Sequence, residues 1–267
     1  MAPRTRVLAA VAAASAAAAT AVVGVTLATR QHPRQPHARP GRPPAAIYFA
    51  SPAAASIRAA FRSWPDHSLD ELERIGRDRP RDPVVQFNLG LARIWAGYDA
   101  EAVAALRTAK KVGRDTVYEV KADNLLHPQF FSQGYPIFAP TRPDELLYAG
   151  VRAQEQYHQH TAERLYARAA RLHPDDDEAQ VAAAVGLFDM DHLDRAFGRL
   201  GPLARRFPRS QSVRYHLGLL LAWTGQRDLA VAQFRRAAAL GPRTVLGQEA
   251  RRFLLRLENG GTKLDNK

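Results

Sequence analysis

Carboxylates and histidines in several parts of the chain are the residues whose types and spacing could do chemistry. Residues 175–178 read Asp-Asp-Asp-Glu, and Asp189, Asp191 and Asp194 follow in one short stretch. Clustered carboxylates can bind divalent cations through their oxygens. The group formed by Asp189, Asp191 and Asp194, however, lacks the glycine and the distal glutamate of a calcium-binding loop. The first group stands where a helix is expected to begin, and acidic side chains there complement the helix dipole. We therefore predict helix starts and turns at both places, and no metal site.

The histidines offer one further possibility. His127 follows Asp123 by four residues, a spacing that places an imidazole beside a carboxylate on one helix as an acid–base pair. No third group in the sequence supports such a pair. His158 and His160 precede Thr161 and are expected to be surface residues of a turn.

Catalytic and cofactor-binding motifs are missing from the sequence. It contains no nucleotide-binding loop, zinc-ligand spacing or nucleophile elbow. It also contains no cysteine, which excludes disulfides, thiolate zinc sites and a cysteine nucleophile. We predict a protein that is not an enzyme and uses no cofactor.

The net charge raises the question of nucleic acid or anionic lipid as a partner. The formal charge is +12, and most of the basic residues are arginines. These arginines are scattered, without the dense basic run or interleaved aromatic residues of a nucleic-acid groove. Nucleic acid is therefore an unfavoured partner, and an arginine-rich nucleic-acid or anionic-lipid binder remains an alternative.

The elements that must position all these residues repeat along the chain. Pro174, Pro208 and Pro242 are spaced by 34 residues (208−174 and 242−208). Each is preceded by an alanine at twelve residues and by a large apolar residue at eight: Ala162, Ala196 and Ala230, then Tyr166, Leu200 and Phe234. This spacing predicts units of two short amphipathic helices. Because such a unit cannot bury its apolar face alone, the units must stack.

This pattern resembles the tetratricopeptide repeat (TPR). The most complete copy comprises Leu217, Gly218, Leu221, Ala230, Phe234, Ala237 and Pro242. A second copy has Gly150, Ala162, Tyr166, Ala169 and Pro174, and an earlier one has Leu89, Gly90, Ala102, Leu106 and Ala109. The copies are imperfect, with Ala184 at the glycine position of one and Arg114 at the proline position of another. The stretches 87–97 and 215–225 nevertheless share two aromatic residues and two glycines at equal spacing.

The resemblance covers residues 49–244 and implies an all-α fold: a right-handed α-solenoid of about five helix-turn-helix (TPR-like) repeats, preceded by one N-terminal apolar helix. The expected divisions are 1–30, a transmembrane anchor or signal peptide; 31–48, a Pro/Arg-rich linker; 49–116, repeats 1–2; 117–142, an aromatic and Pro-rich insertion; 143–244, repeats 3–5; and 245–267, a cap helix and tail.

The N-terminal segment is expected to contact a membrane. Residues 7–28 carry no charge and follow Arg4 and Arg6. As a helix, this run would be roughly 33 Å long, enough to cross the hydrocarbon core. Small residues near Thr26 and Ala28 would also allow signal-peptide cleavage, but the run is longer than the usual apolar region of a signal peptide, which favours an anchor. We expect a single-pass membrane protein whose folded domain is extracytoplasmic, as a short leader before one apolar segment suggests.

The insertion departs from the repeat. Asp115 is expected to cap a helix from Thr116 to about Leu126. The aromatic residues that follow are too many for an exposed segment: Phe130, Phe131, Tyr135 and Phe138. Three interpretations remain open: an ordered loop that covers the protein's own groove, a partner-binding element, or a catalytic loop at residues 127–138.

The resemblance also implies a concave groove lined by the first helix of each repeat. The residues carried onto the groove positions are Phe87, Leu91, Ile94, Leu147, Val151, Val181, Val185, Phe188, Tyr215 and Leu219. Phe87 and Tyr215 stand where a carboxylate-clamping lysine would be needed, so we predict no recognition of a C-terminal carboxylate. The predicted function is a membrane-tethered TPR scaffold that binds a protein or peptide through this apolar groove and the aromatic insertion. The alternative from another class is an enzyme, or a subunit of one, that uses the 127–138 loop.

Overall fold

The computed structural model describes residue 39 and residues 41–65, 67–130 and 134–258. Within these residues the chain forms 12 helices and no strands. They are α1 (Ala54–Arg62), α2 (Ser68–Asp78), α3 (Pro83–Ala96), α4 (Asp99–Val112), α5 (Val117–Leu126), α6 (Glu145–Glu155), α7 (Gln159–Leu172), α8 (Asp177–Val185), α9 (Leu193–Arg206), α10 (Gln211–Trp223), α11 (Arg227–Leu240) and α12 (Val245–Glu258).

The predicted all-α fold is confirmed for these residues. The expected N-terminal helix at residues 7–28 and half of the expected linker lie outside the described residues, as does the tail from residue 259. Among the helices that are described, none has the length and apolar character needed to span a membrane.

Helices α3 and α8 begin at aspartates that cap them. Asp82 caps α3 by accepting a hydrogen bond from the Val84 N–H at 2.9 Å, and Pro83 occupies the first turn. Asp176 caps α8 by accepting from the N–H groups of Glu178 and Ala179 at 2.8 and 3.1 Å. The acidic run at 175–178 therefore begins a helix, as expected.

The predicted cap of α5 is wrong in its residue. Thr116, and not Asp115, caps this helix by accepting from the Tyr118 N–H at 3.3 Å. Asp115 has a left-handed backbone with φ of 61°, which turns its carboxylate toward the N-terminus of α7. There it accepts from the N–H groups of His160 and Thr161 at 2.8 and 3.0 Å. A residue before one helix thus caps another helix.

The helices follow one another in a row, as in an α-solenoid. Each of α1 to α4 packs on the next helix in the sequence, and so does each of α6 to α11. Alternate helices also touch, α1 with α3 and α3 with α5, and then α8 with α10 and α10 with α12. Because contacts join mainly near neighbours in the sequence, the architecture is consistent with stacked helical units.

Small residues let the paired helices approach closely. Gly90 of α3 lies against Leu106 of α4, Gly150 of α6 against Tyr166 of α7, and Gly218 of α10 against Phe234 of α11. In every pair the glycine precedes the large residue by 16 positions (106−90, 166−150 and 234−218). All three large residues are buried. The sequence pattern therefore reports a contact that recurs along the row.

The buried apolar residues form two clusters. One lies within residues 53–122 and the other within residues 120–257. Helix α5 contributes to both, with Tyr118 and Ala122 in the first cluster and Val120 in the second. This helix precedes the insertion and therefore forms part of the junction between the two parts of the molecule.

Candidate functional grooves

Two non-helical segments of the chain lie on its helices, and the contacts of these segments define the candidate site. The linker segment comprises residues 45–49, and the insertion segment comprises residues 134–141. We call the surface around Asn88 and Tyr118 the first groove. The surface around Gln154, Glu178, His216 and Trp223 is called the second groove.

Asn88 binds the main chain of the linker segment in the first groove. Its side-chain oxygen accepts from the Ala46 N–H at 2.8 Å, and its side-chain nitrogen donates to the Ala46 carbonyl at 2.8 Å. The side chain is fully buried, and the same nitrogen also donates to the Val84 carbonyl. A carboxamide carries both a donor and an acceptor, so it can pair with both polar groups of one residue.

Tyr118 adds a second anchor for this segment. Its hydroxyl donates to the Ala46 carbonyl at 3.1 Å and accepts from the Tyr48 N–H at 3.0 Å. Its ring packs on Tyr48, Phe49 and Phe87 at centroid distances of 5.4, 5.0 and 5.5 Å. Burial raises the pKa of Tyr118, so the hydroxyl stays protonated and able to donate at neutral pH.

Main-chain recognition recurs in the second groove. The Gln154 side-chain oxygen accepts from the Phe138 N–H at 3.0 Å, and its nitrogen donates to the Pro136 carbonyl at 3.1 Å. The Trp223 indole donates to the Gly134 carbonyl at 3.2 Å. The insertion segment is therefore held at alternate residues by side chains of α6 and α10.

His216 of α10 completes these main-chain contacts. Its Nε2 accepts from the Ala139 N–H at 3.0 Å, while its Nδ1 donates to the Ser212 carbonyl at 2.9 Å. The side chain is completely buried, and desolvation lowers its pKa to about 4. The imidazole is therefore neutral at pH 7, which leaves Nε2 free to act as an acceptor.

Aromatic side chains of the insertion segment fill the second groove. The Phe138 ring stacks on His216 at 4.8 Å and meets Tyr166 edge-on at 5.6 Å, and only 1% of Phe138 is exposed. The Tyr135 hydroxyl donates to the buried Asp123 carboxylate at 2.6 Å, and its ring lies 6.0 Å from that of Phe188. Residues 134–141 are therefore an ordered loop that covers the protein's own groove, which is one of the three interpretations of the insertion.

The far end of the insertion segment is bound by Glu178. This buried carboxylate accepts from the Thr141 N–H at 3.1 Å and from the Thr141 hydroxyl. Next to it, the Arg142 guanidinium pairs with Asp176 at 2.6 Å and with Asp177 at 3.0 Å. The acidic run at the start of α8 therefore both caps a helix and holds the end of the insertion.

A charged cluster lies at the junction between the two parts of the molecule. The Lys110 ammonium contacts Asp123 at 2.8 Å and Asp191 at 2.6 Å. His127 contacts the same two carboxylates at 3.0 and 2.9 Å. These partners keep the pKa of both aspartates low, and they raise the pKa of His127 to about 9 despite its burial. The cluster therefore joins α4 and α5 to the turn before α9 by ion pairs.

Asp123, His127 and Asp191 also have the composition of a metal site. One ligand atom from each lies within 4.8 Å of the others. A metal would require a neutral imidazole, whereas the raised pKa of His127 leaves the imidazole protonated at pH 7. The Lys110 ammonium already bridges the two carboxylates. Ion pairing therefore accounts for this arrangement better than metal coordination does.

The same contacts bear on the interpretation of residues 127–138 as a catalytic loop. His127 and Asp123 are paired, as their spacing predicted, and Asp191 is the third group that the sequence did not reveal. His127 contacts both carboxylates, which also contact Lys110, and Asp123 accepts a hydrogen bond from Tyr135 as well. A protonated imidazole clamped between two carboxylates is a poor general base at neutral pH.

A second polar network crosses the junction through His160. Its Nε2 lies 2.8 Å from Glu119, and its Nδ1 lies 3.4 Å from Glu163 and 3.2 Å from Arg114. The two carboxylates raise the pKa of His160 to about 9. The expectation that this histidine is a simple surface residue is wrong, because helix α5 brings Glu119 against it.

The sequence matches no protein-family model, and it matches none of the curated proteins.

Most of the predicted groove residues are buried by packing within the protein itself. Eight of them are buried: Phe87, Leu91, Leu147, Val181, Val185, Phe188, Tyr215 and Leu219. Ile94 and Val151 are half-buried. Among the insertion aromatics, Tyr135 and Phe138 are buried, Phe130 is half-buried against His127, and Phe131 lies outside the described residues. Binding of a partner by these residues stays a prediction.

Sequence reasoning missed the polar side chains that bind main chain. Asn88 and His216 stand two residues before Gly90 and Gly218, and Gln154 lies on the same helix as Gly150. Asn88 and His216 are polar residues between apolar neighbours, and all three stand on helices that the repeat predicts to be inward-facing. A buried polar group requires a hydrogen-bonding partner, so these positions could have predicted polar contacts in the grooves.

Proposed function

We propose that this protein is a membrane-tethered scaffold of TPR-like repeats that binds another protein by holding a non-helical segment of it on the groove helices. The observation that carries the proposal is the repeated recognition of main chain by buried side chains. Asn88 and Gln154 each pair with one N–H and one carbonyl, and His216 accepts from a third N–H at 3.0 Å. Main-chain contacts give affinity for a polypeptide, and side-chain pockets give selectivity.

The order of the helix contacts supports about five repeats, and their right-handed sense is what the TPR resemblance implies. The pairs would be α1 with α2, α3 with α4, α6 with α7, α8 with α9, and α10 with α11, and α12 would cap the row. Three of these pairs share a glycine contact at the same spacing. Terminal units in solenoids carry a solvated outer face, and α12 has this character with exposed Arg251 and Arg252.

An exposed aromatic surface next to the first groove provides a place for the partner. Tyr48 is 50% exposed and Phe49 is 40% exposed, although both rings rest on Tyr118. Tyr157 is also exposed. Burial raises the pKa of Tyr48, and the electrostatic effect of the nearby Tyr157 raises it further. Aromatic side chains clustered on a surface are typical of protein interfaces. We call Tyr48, Phe49 and Tyr157 the aromatic patch.

The membrane part of the proposal rests on residues 7–28, an uncharged run long enough for a spanning helix. The linker that follows this run ends in the first groove, where Ala46 is bound. The tether would therefore reach the scaffold next to the aromatic patch, so a partner bound there would be held near the membrane.

Site-specific photo-crosslinking in the native cells tests this function. A photoreactive phenylalanine analogue is placed at Tyr48 or at Tyr157 in the full chain, and cross-linked proteins are identified by mass spectrometry. The matched control position is Val245, which is 73% exposed at the start of α12. We expect one protein to be cross-linked from the patch and not from Val245, and to bind the purified full chain less well after Tyr157→Ala. Equal yields from all three positions would contradict the proposal.

A further inference from the structure

We propose that the insertion segment is a resident ligand of the second groove, and that the groove accepts in its place a segment of another protein with the pattern Tyr-x-x-Phe-x-x-Thr or Ser. This inference rests on the proposed function and specifies the partner's chemistry. The pattern is that of Tyr135, Phe138 and Thr141, the three side chains through which the resident segment is held.

The main-chain contacts of the second groove do not involve the side chains of the occupant, although the left-handed backbone at Gly134, with φ of 77°, favours glycine there. They reach the carbonyls of Gly134 and Pro136 and the N–H groups of Phe138 and Ala139. The donors and acceptors belong to Gln154, His216 and Trp223, which are buried in the helices and not in the insertion. Any polypeptide of the same backbone conformation can make these hydrogen bonds, provided that it has an N–H at the last two positions.

The tyrosine position selects a hydroxyl. Asp123 is completely buried, and one of its oxygens accepts from the Tyr135 hydroxyl at 2.6 Å. The other oxygen contacts Lys110 and His127. An occupant with phenylalanine at this position would leave a buried carboxylate oxygen without its donor, which a site built for a hydroxyl penalises strongly. The groove should therefore prefer tyrosine to phenylalanine.

The phenylalanine position selects a flat apolar ring. Phe138 lies between the rings of His216 and Tyr166, and the neutral imidazole stacks on it at 4.8 Å with an interplanar angle of 25°. The Tyr166 hydroxyl is itself fixed by a 2.8 Å hydrogen bond to Gln154, a side chain that also binds the main chain of the segment. The aromatic pocket and the main-chain contacts are thus parts of one connected site.

The end of the groove adds a requirement of charge. Glu178 binds the main chain and hydroxyl of Thr141, and Asp176 and Asp177 pair with Arg142. Three carboxylates at this end favour a partner whose hydroxyl residue is followed by a basic residue. An acidic residue there would be repelled.

The resident segment competes with any such partner because both ends of it are joined to the scaffold. A tethered occupant has an effective concentration of the order of mM, so a free peptide must exceed that concentration or bind more tightly. Weakening the contacts of the resident segment without changing the groove should therefore strengthen the binding of a free peptide.

The experiment measures peptide binding to the full chain. The probe is a fluorescent nonapeptide with the sequence of residues 134–142, Gly-Tyr-Pro-Ile-Phe-Ala-Pro-Thr-Arg. The Phe138→Ala variant removes the stacked ring of the resident segment, and Tyr135→Phe removes only its hydroxyl. Tyr98→Ala changes an exposed aromatic residue of a distant turn and serves as the control.

We expect Phe138→Ala to bind the peptide at least about tenfold more tightly than the unchanged chain does, with a smaller gain for Tyr135→Phe and none for Tyr98→Ala. A peptide with phenylalanine in place of its tyrosine, or alanine in place of its phenylalanine, should bind about tenfold or more weakly. A scrambled peptide that binds equally well would overturn the proposal, and so would the absence of binding to a Tyr135→Phe protein whose circular dichroism is unchanged.

The two proposals fail separately. A partner cross-linked from Tyr48 or Tyr157, together with no peptide binding in either variant, would disprove exchange in the second groove and leave the scaffold function standing. Selective peptide binding without a partner cross-linked from the aromatic patch would disprove the patch as the contact surface for a partner and leave exchange in the second groove standing.

Discussion

Asn88 and His216 occupy equivalent positions on α3 and α10, two residues before Gly90 and Gly218, and each accepts a hydrogen bond from the main chain of a non-helical segment. The distances are 2.8 Å to the Ala46 N–H and 3.0 Å to the Ala139 N–H. Both side chains are fully buried. One position of the repeat is therefore used twice for the same purpose, in parts of the chain that are 128 residues apart (216−88).

Removing the Asn88 carboxamide should destabilise the protein. Asn88→Ala leaves the Ala46 N–H without its buried partner, whereas the Ala46 carbonyl keeps the Tyr118 hydroxyl, and the expected cost is about 1–3 kcal/mol in the free energy of unfolding. The matched control is Tyr148→Ala, two residues before Gly150 but exposed, for which we expect a change within about 0.5 kcal/mol. Urea unfolding followed by circular dichroism measures both. Equal stability of the two variants would show that the linker segment contributes little.

The buried ion pair at the junction should matter more than an exposed one. Lys110→Met removes the ammonium from the fully buried Asp123, which keeps its contacts with His127 and Tyr135. Leaving a buried charge with no partner costs about 3–5 kcal/mol, so we expect a loss below that range. Arg74→Met removes the exposed contacts with Glu71 and Asp78 and should change the stability much less, because solvent screens these charges. Thermal unfolding of the two variants gives the comparison. A smaller loss for Lys110→Met than for Arg74→Met would contradict the structure.

The stability of the junction should fall at alkaline pH because of His160. The pKa of this histidine is about 9 in the folded protein and near its ordinary value of 6.5 in the unfolded chain, so the folded state binds the proton more tightly. Its contribution is complete below pH 6.5 and is lost as the pH rises through 9. We expect a loss of the order of 1–3 kcal/mol from this group between pH 7 and pH 10.

The His160→Gln variant tests that source of pH dependence. The free energy of unfolding of this variant, measured in urea at several pH values, should depend less on pH in this range than that of the unchanged protein. His173→Gln alters an exposed histidine and is the control. The same slope in the His160→Gln and His173→Gln proteins would assign the alkaline loss to another group.

Replacing Gly150 should destabilise the protein, whereas replacing Gly198 should not, because only Gly150 lies at a close contact between paired helices. A methyl group at Gly150 would meet the Tyr166 ring, which is buried and hydrogen-bonded to Gln154. Gly150→Ala should therefore cost about 1–3 kcal/mol. Gly198 also lies within a helix, but nothing lies within 4 Å of the added carbon, so Gly198→Ala should stabilise by up to about 1 kcal/mol. Calorimetric melting temperatures should move in opposite directions.

Membrane association should depend on the N-terminal apolar run. Deletion of residues 7–28 removes the uncharged segment and leaves the arginines on both sides of it. We expect the deleted protein to move from the membrane fraction to the soluble fraction of the cell. Replacement of the arginines at positions 34, 39 and 42 by glutamine is the control and should leave the protein in the membrane. Retention of the deleted protein on membranes would show that another part of the chain anchors it.

Much of the fold could be predicted from the sequence because helix formation is local. The 34-residue spacing of prolines, the caps at Asp82 and Asp176, and the contacts of Gly150 and Gly218 depend on residues close together in the chain or in one helix pair. Apolar periodicity and capping act within a few residues, so a sequence displays them directly. The helix start at the acidic run 175–178 was predicted, and Pro174, Pro208 and Pro242 each stand two residues after the end of a helix.

The contents of the grooves and the partners of the charged residues were decided by tertiary structure. Asn88 meets Ala46 across 42 residues, His216 meets Ala139 across 77, and His127 meets Asp191 across 64. The sequence predicted that Asp115 caps α5. Its left-handed backbone instead directs the side chain to the N-terminus of α7, where it meets His160 across 45 residues. Such contacts depend on the packing angle between each helix and the next along the row. The local pattern predicts that the helices stack, but only the stacked structure determines which distant groups meet.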